Sequence, residues 1–337
     1  MTDTRQVQKS TSSGGRGGFS LGRILLEGRA FFALIAIIVV FSLLSPVYLS
    51  TNNFLIMSSH VAIFGLLAIG MLLVILTGGI DLSVGSTLGL AGCIAGFLMQ
   101  GVQLDMFGVV LFPPVWVVVI LTCLVGALIG TINGVLIAFF KVPAFVATLG
   151  LLYVARGAAL LMTNGLTYNN LGGKPELGNT GFDWLGFNRL FNVPIGVLVL
   201  AVVAIICSIL LTRTAFGRWV YSTGGNARAA ELSGVPVKRV TVSVYVLSGI
   251  CAAIAGLVLS SQLTSAGPTA GTTYELTAIA AVVIGGSSIL GGRGTFLGTV
   301  GGALLLTILG TIISALGLEF GLRTIIDGVV KPASIME

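Results

Sequence analysis

Charge is what this sequence has least of: Asp, Glu, Lys and Arg make up 8% of its 337 residues, against 55% hydrophobic. A soluble domain carries about 25% charged residues. Too little charge is present to cover an aqueous surface, so the chain takes lipid as its solvent. Histidine occurs once, as His60. A single imidazole with no acid beside it makes a poor proton relay, and it is expected at a membrane interface. The lysines are Lys9, Lys141, Lys174, Lys238 and Lys331. None closes a G-x-x-x-x-G-K-[ST] loop, which excludes ATP hydrolysis by that route. G-x-S-x-G, H-E-x-x-H and C-x-x-C are missing too, so no catalytic residue, metal-ligand set or cofactor site is read. Cys93, Cys123, Cys207 and Cys251 all fall in apolar stretches without metal spacing, as small core hydrophobes rather than a disulfide framework.

Glycine, by contrast, is abundant, at 48 residues. No G-X-Y period accompanies it, which excludes a collagen-like rod; glycine at this level suits membrane helices whose backbones approach closely. A spanning helix needs about 20 mostly apolar residues. Candidate spans are 30–49, 61–78, 84–100, 115–139, 143–163, 193–212, 240–260, 274–290 and 295–318. The fold class expected is an all-α polytopic membrane protein, a bundle of about nine or ten transmembrane helices. The stretches 61–78, 84–100 and 274–290 are short and glycine-broken, and read as helices interrupted or tilted near a functional centre. The domains expected are a disordered basic leader at 1–29, a transmembrane domain at 30–330 and a short tail at 331–337. No A-x-A-like cleavage site follows the first apolar run, so the leader is not read as a signal peptide.

The basic residues are dispersed, and the net charge of +6 speaks for orientation in a membrane rather than for nucleic acid. The leader holds Arg5, Lys9, Arg16, Arg23 and Arg29, and the segment 213–239 holds Arg213, Arg218, Arg228, Lys238 and Arg239 against Glu231 alone. The segment 164–192 is balanced, with Lys174 and Arg189 against Glu176 and Asp183, and 101–114 has only Asp105. With the N-terminus cytoplasmic, alternating the spans places Lys141, the 213–239 loop and Arg293 inside, and the 101–114 and 164–192 loops outside.

Small residues recur every fourth position: Gly126, Gly130 and Gly134; Gly294, Gly298 and Gly302; Gly85 and Gly89. Such ridges let helices pack closely, and that reading is preferred to a direct role with a solute. A faint internal echo links Thr77-Gly78-Gly79, leading into Ser83, Gly85 and Gly89, with Ile284-Gly285-Gly286, leading into Ser287, Gly294 and Gly298. Transporters often contain repeated halves.

Ionisable side chains at membrane depth face a cavity or a partner; here they are Asp81, Arg156, Glu275 and Arg293. Asp81 follows two helix-breaking glycines and precedes Ser83, an arrangement that suits a cap on a restarting helix more than solute contact. Arg156 either lines a pore or bonds neighbouring carbonyls. In the 213–239 loop, Gly225 and Asn226 suit a helix start, residues 227–232 are good helix formers, and Ser233-Gly234 with Pro236 ends the helix. This short helix either enters a groove on a partner or lies on anionic lipid.

Several of these segments, in order over roughly residues 30–330, resemble the permeases of ribose-type ABC importers. They are Gly78-Gly79-Ile80-Asp81-Leu82-Ser83-Val84-Gly85, the run from Val142 to Gly150 with Arg156-Gly157, the Gly224–Val235 loop, and Ile284-Gly285-Gly286-Ser287-Ser288 followed by Gly291-Gly292-Arg293-Gly294-Thr295. The Asp81 segment resembles the sugar branch more than the branched-chain amino-acid branch. The resemblance implies a bacterial inner-membrane subunit that pairs with a second permease copy or homologue. It also implies two cytoplasmic ABC ATPase subunits and an extracytoplasmic sugar-binding protein as partners. Residues Gly224, Gly225, Asn226, Ala229, Ala230, Ser233 and Gly234 would couple to the ATPase, and Asp81, Ser83, Arg156 and Ser287 are the translocation-pathway candidates. One departure stands out: the family continues past Gly328-Val329-Val330 with a further helix and a basic tail, where this chain reads Lys331 to Glu337, which leaves nine spans and puts activity in doubt. The competing expectations are a stand-alone secondary transporter or channel using Asp81 and Arg156, a branched-chain amino-acid permease, and a non-transporting membrane scaffold.

Overall fold

A computed structural model describes residues 50–104 and 108–315, with 39, 42 and 43. The leader, all of the expected 30–49 span but those three residues, and the C-terminal departure lie outside the described residues. Within them, the long helices are α1 (Thr51–Leu76), α2 (Val84–Gln100), α3 (Val115–Ala138), α4 (Ala144–Thr163), α6 (Ile195–Arg213), α9 (Val237–Leu263) and α11 (Phe296–Ala315). Shorter ones are α5 (Trp184–Phe187), α7 (Ala215–Gly225), α8 (Ala227–Leu232) and α10 (Tyr274–Ile284). Helices α1, α3, α4, α6 and α9 are long and apolar enough to cross a membrane, and the chain is a multi-pass, essentially all-α membrane protein.

Helix α1 corrects the expected 61–78 span. It begins ten residues earlier, where Ser50 accepts a hydrogen bond from the Asn53 N–H at 3.3 Å, and Ser58 and Ser59 satisfy their hydroxyls on the Leu55 carbonyl. These polar residues are invisible to a hydropathy reading, yet the cap and the back-bonded serines keep them helical. His60 therefore sits more than two turns inside the helix rather than at its edge. Helix α1 is also unbroken as far as Leu76; the glycines at 78 and 79 follow its end. The expected 274–290 span is shorter than read, because α10 stops at Ile284.

Helices α1 and α9 form the centre, with nearly every side chain from Ile63 to Leu76 buried. Helix α9 packs along the α3 glycine ridge: a Cβ at Gly126 would overlap the Gly249 carbonyl, one at Gly130 the Tyr245 carbonyl, and one at Gly134 would lie 2.7 Å from Val242 Cα. The ridge is a backbone-to-backbone helix contact, the arrangement that replaces hydrophobic driving force in lipid. The Gly298 and Gly302 ridge of α11 does the same against Gly285 and Ala281 of α10. Helices α3, α4 and α6 keep most of their surface exposed, as lipid-facing helices must.

The two ends of the bundle differ. At one end lie the α3–α4 turn with Lys141, the segment from Arg213 to Val237, and the 285–295 loop. Arg213, Arg218, Arg228, Lys238, Arg239 and Arg293 are all exposed there, and Lys238 Nζ stands 5.3 Å above the Phe139 ring. At the other end are three short antiparallel pairs, β1 (Val102–Leu104) with β2 (Val109–Leu111), β3 (Tyr168–Asn169) with β6 (Ser265–Ala266), and β4 (Arg189–Leu190) with β5 (Val193–Pro194). A charge-balanced loop covers that end, tied down where Asn179 donates to the Met99 carbonyl and Ser261 to the Phe182 carbonyl.

Candidate functional site

The basic end carries a joint between three segments. The C-terminal carbonyl of α1, Leu76, accepts the Gly292 N–H at 3.0 Å. Gly224, near the end of α7, packs against both: a Cβ there would overlap the Leu76 carbonyl and lie 2.5 Å from the Gly292 nitrogen. The Tyr221 hydroxyl donates to the Gly294 carbonyl at 3.0 Å, and burial pushes that phenol above its ordinary range, so it remains a neutral donor. Gly291 and Gly292 hold φ of 88° and 70°, a left-handed conformation that a Cβ would strain. Helix α7 is a finding beyond the sequence reading. Its signal was the spacing of Gly217, Val220 and Thr223, which form its buried face.

Helix α8 follows directly and matches the expected 227–232. Asn226 is its N-cap, its Oδ1 accepting the Ala229 N–H at 3.0 Å, and Ser233 Oγ donates to the Ala229 carbonyl before Gly234 turns away with φ of 85°. Gly225 is the last residue of α7 rather than the start of α8. Of the seven expected coupling residues, Gly224 belongs to the joint and Ala230 is buried; Gly225, Asn226, Ala229, Ser233 and Gly234 are exposed on one protruding turn. Ser287 lies beneath the same joint, 5% exposed, its Oγ with no hydrogen-bond partner among the described residues.

Asp81 and Ser83 lie deeper. The loop 77–83 turns back into the bundle, and Asp81 Oδ1 accepts the Ser83 N–H at 3.0 Å and the Ser83 hydroxyl at 2.6 Å. Its Oδ2 accepts the Ser248 hydroxyl at 2.9 Å from α9, while Asn133 of α3 donates to Ser83 Oγ at 2.9 Å. Tyr245 and Thr148 donate to the Ile80 carbonyl at 3.3 and 3.4 Å. Asp81 is 1% exposed. The acid thus turns the loop, as its spacing to Ser83 suggested, and also knots the start of α2 to α3 and α9. Of the knot's members only Ser83, two residues from Asp81, was legible in sequence, because Asn133 and Ser248 lie 50 residues or more away.

Arg156, midway along α4, donates through Nη1 to the carbonyls of Pro268 and Ala270, at 2.5 and 2.7 Å, and Glu275 is within electrostatic reach. The carbonyl-bonding alternative is the one adopted, although the carbonyls are more than 110 residues away. Arg156 and Asp81 therefore occupy different sites, Asp81 in the loop before α2 and Arg156 beside Gly89 within it. Among the described residues no group of His, Cys, Asp and Glu could hold a metal ion.

A bundle of apolar helices around a buried polar knot, with one strongly basic end, is the architecture of a multi-pass membrane protein. The chain belongs to the permease family described as "Branched-chain amino acid transport system / permease component", matched over residues 53–330. It is similar to Ribose import permease protein RbsC of Haemophilus influenzae, 37% identical over 302 residues and covering 89% of each chain. The protein of the same name from Bacillus subtilis is 41% identical over 301 residues, 89% of this chain and 88% of that one. Xylose transport system permease protein XylH of Escherichia coli is 33% identical over 372 residues, 93% of this chain and 92% of the relative. No solved structure matches the chain.

Proposed function

We propose that this chain is the membrane subunit of an ATP-driven ABC importer in a bacterial cytoplasmic membrane, forming the path by which a sugar or sugar-like solute enters the cell. The observation that carries this reading is near end-to-end similarity, at 37% and 41% identity, to permeases named for ribose. Those names, with that of the xylose permease, favour a sugar over the amino acid in the family's description. A stand-alone ion-coupled carrier is less well supported, since Asp81 is sealed by three donors and Arg156 is engaged with backbone.

In this reading the basic end is cytoplasmic, in keeping with the excess of Lys and Arg on cytoplasmic loops, and the N-terminus lies on that side. A partner ATPase receives α8 in a groove and supplies the hydrolysis. The start of the capped helix offers small side chains at Ala227 and Ala229 beside the exposed Arg228, Glu231 and Leu232, and Gly225 has open space around it, so a groove closes on that small-residue start. Movement of α8 reaches α1 and α10 through the Gly224–Leu76–Gly292 joint, shifting the bundle between two populations. An extracytoplasmic binding protein delivers the solute at the opposite end, and a second permease copy or homologue completes the path. Asp81 and Ser83 hold the helices bordering that path, and Ser287 sits where the joint flexes.

The test is reconstitution. The chain co-expressed with its ATPase and binding protein should take up ribose or xylose into liposomes only with ATP inside the compartment facing the basic end. Uptake by the chain alone under an ion gradient would replace this reading with the ion-coupled one.

A further inference from the structure

Between α9 and α10 the chain does something that lipid does not tolerate. From Ala266 to Gly271 it runs down the side of α2: a Cβ at Gly96 would lie 3.1 Å from Ala266 Cβ, one at Gly89 2.6 Å from the Ala270 carbonyl, and one at Gly85 would overlap the Gly271 carbonyl. The segment passes eleven residues of α2, about 16 Å of helix, as non-helical chain whose turns are closed by the Ala270 N–H on the Gly267 carbonyl and the Thr272 N–H on the Thr269 carbonyl. Helix α10 then begins, and its 11 residues, about 16 Å, carry the chain to the basic end. Its first turn therefore starts near the middle of a hydrocarbon layer about 30 Å thick.

This descending segment is not sealed. Thr269, Thr272 and Thr273 are exposed, Arg156 and Glu275 are half-buried, and Tyr153, one turn before Arg156 on α4, is 69% exposed. Non-helical backbone at membrane depth survives only inside protein or against water, and ionisable side chains there mark a solute path. The small size of Gly85 and Gly89 has the same origin, since those positions admit the segment and the Arg156 brace rather than another helix. Gly271, with φ of 73°, and Thr273, with φ of 68°, shape the turn that presents the hydroxyls.

We propose that the segment 267–273, with the first turn of α10 and Tyr153, is a polar wall of the translocation path that receives a polyhydroxylated solute. The proposal rests on the importer reading above and adds to it the residues that meet the sugar. The Thr269 and Thr273 hydroxyls each offer a donor and acceptors, while the Thr272 hydroxyl donates to the Thr269 carbonyl at 2.7 Å and offers its oxygen as an acceptor, a set that suits exchange of hydrogen bonds with successive sugar hydroxyls. The Tyr153 ring offers an apolar face to the C–H side of the sugar. Arg156 is a positioning residue: it holds the Pro268 and Ala270 carbonyls and so sets where the hydroxyls stand. The wall is multi-site and weak by construction, as a path that must release its solute requires.

Thr269→Cys and Thr272→Cys, each in the complete importer in liposomes, are treated with a charged, water-soluble thiol reagent. Ile206→Cys, on the exposed face of α6, is the lipid-facing control. Both threonine positions should be modified while Ile206→Cys is not, and ribose presented with the binding protein should slow modification several-fold. Thr272→Val should raise the half-saturating solute concentration several-fold with ATPase association unchanged, and Thr272→Ser should restore it. Unmodified cysteines in an importer that still takes up ribose overturn the proposal, because the face is then covered by the second permease copy. Modification that no ribose or xylose slows overturns it as well. Failure of the wild-type complex to import under ATP is a separate result, and strikes the importer reading instead.

Discussion

Replacing Asp81 by leucine removes the acceptor of three buried donors, the Ser83 N–H and the hydroxyls of Ser83 and Ser248. A buried donor stripped of its acceptor costs about 1–3 kcal/mol, which sets a ceiling of about 3–9 kcal/mol for the three. The Ser248 hydroxyl recovers part of this by turning to the Val244 carbonyl one turn back in α9, leaving a net cost of about 2–4 kcal/mol. In a protein with about 5–15 kcal/mol in total, that is a serious fraction. At roughly 2–4 °C per kcal/mol for a domain of this order, the melting temperature falls by roughly 5–15 °C. Asp81→Asn keeps the Oδ1 acceptor, and its amide can donate to a reoriented Ser248 hydroxyl, so its cost is about 1 kcal/mol or less. The assay is fluorescence-detected size exclusion after heating in detergent, paired with ATP-driven uptake at low temperature. Wild-type melting of Asp81→Leu together with complete loss of uptake would refute the reasoning, because the carboxylate would then act on a solute or an ion rather than on the bundle.

Gly225→Trp and Ala229→Trp should leave the bundle intact by melting curve while uptake and co-purification of the ATPase are lost; unchanged ATPase association in both would remove the docking role of α8. Gly224→Ala should instead loosen the permease itself, since its Cβ meets the Leu76 carbonyl and the Gly292 nitrogen, and its melting temperature should fall where that of Gly225→Ala does not. Gly130→Leu drives α3 off the Tyr245 carbonyl; overpacking of this kind costs about 1–3 kcal/mol and should appear as lower expression and melting temperature. Arg156→Ala should abolish or strongly weaken uptake with ATPase association preserved, a result that a lipid-facing arginine would not produce.

The sequence alone settled the solvent. With 8% charge no water-covered surface can be built, and apolar runs of 20 residues must span. It pointed to two of the three ridges too, since the glycine periods of α3 and α11 meet α9 and α10 at close helix contacts. Helix α8 was legible because its signals are local: an Asn cap, helix formers, then Ser-Gly. Asp81 with Ser83 was legible as a turn for the same reason.

Tertiary structure decided whatever depends on partners distant in the chain. The start of α1 at Thr51 rests on a serine cap and serine back-bonding that hydropathy scores as loop. Helix α10 ends early because Gly285 meets Gly298 backbone to backbone. Arg156 read equally as pore lining or carbonyl brace, and only the descent of residues 266–271 beside α2 supplies the carbonyls. Gly85 and Gly89 look like any helix ridge in sequence, yet they face the non-helical turn segment at Ala270 and Gly271. Hydrophobic periodicity is a property of neighbours along the backbone, so it names the helices. Where a helix stops within the membrane is fixed by which backbone group arrives from a hundred residues away to satisfy it.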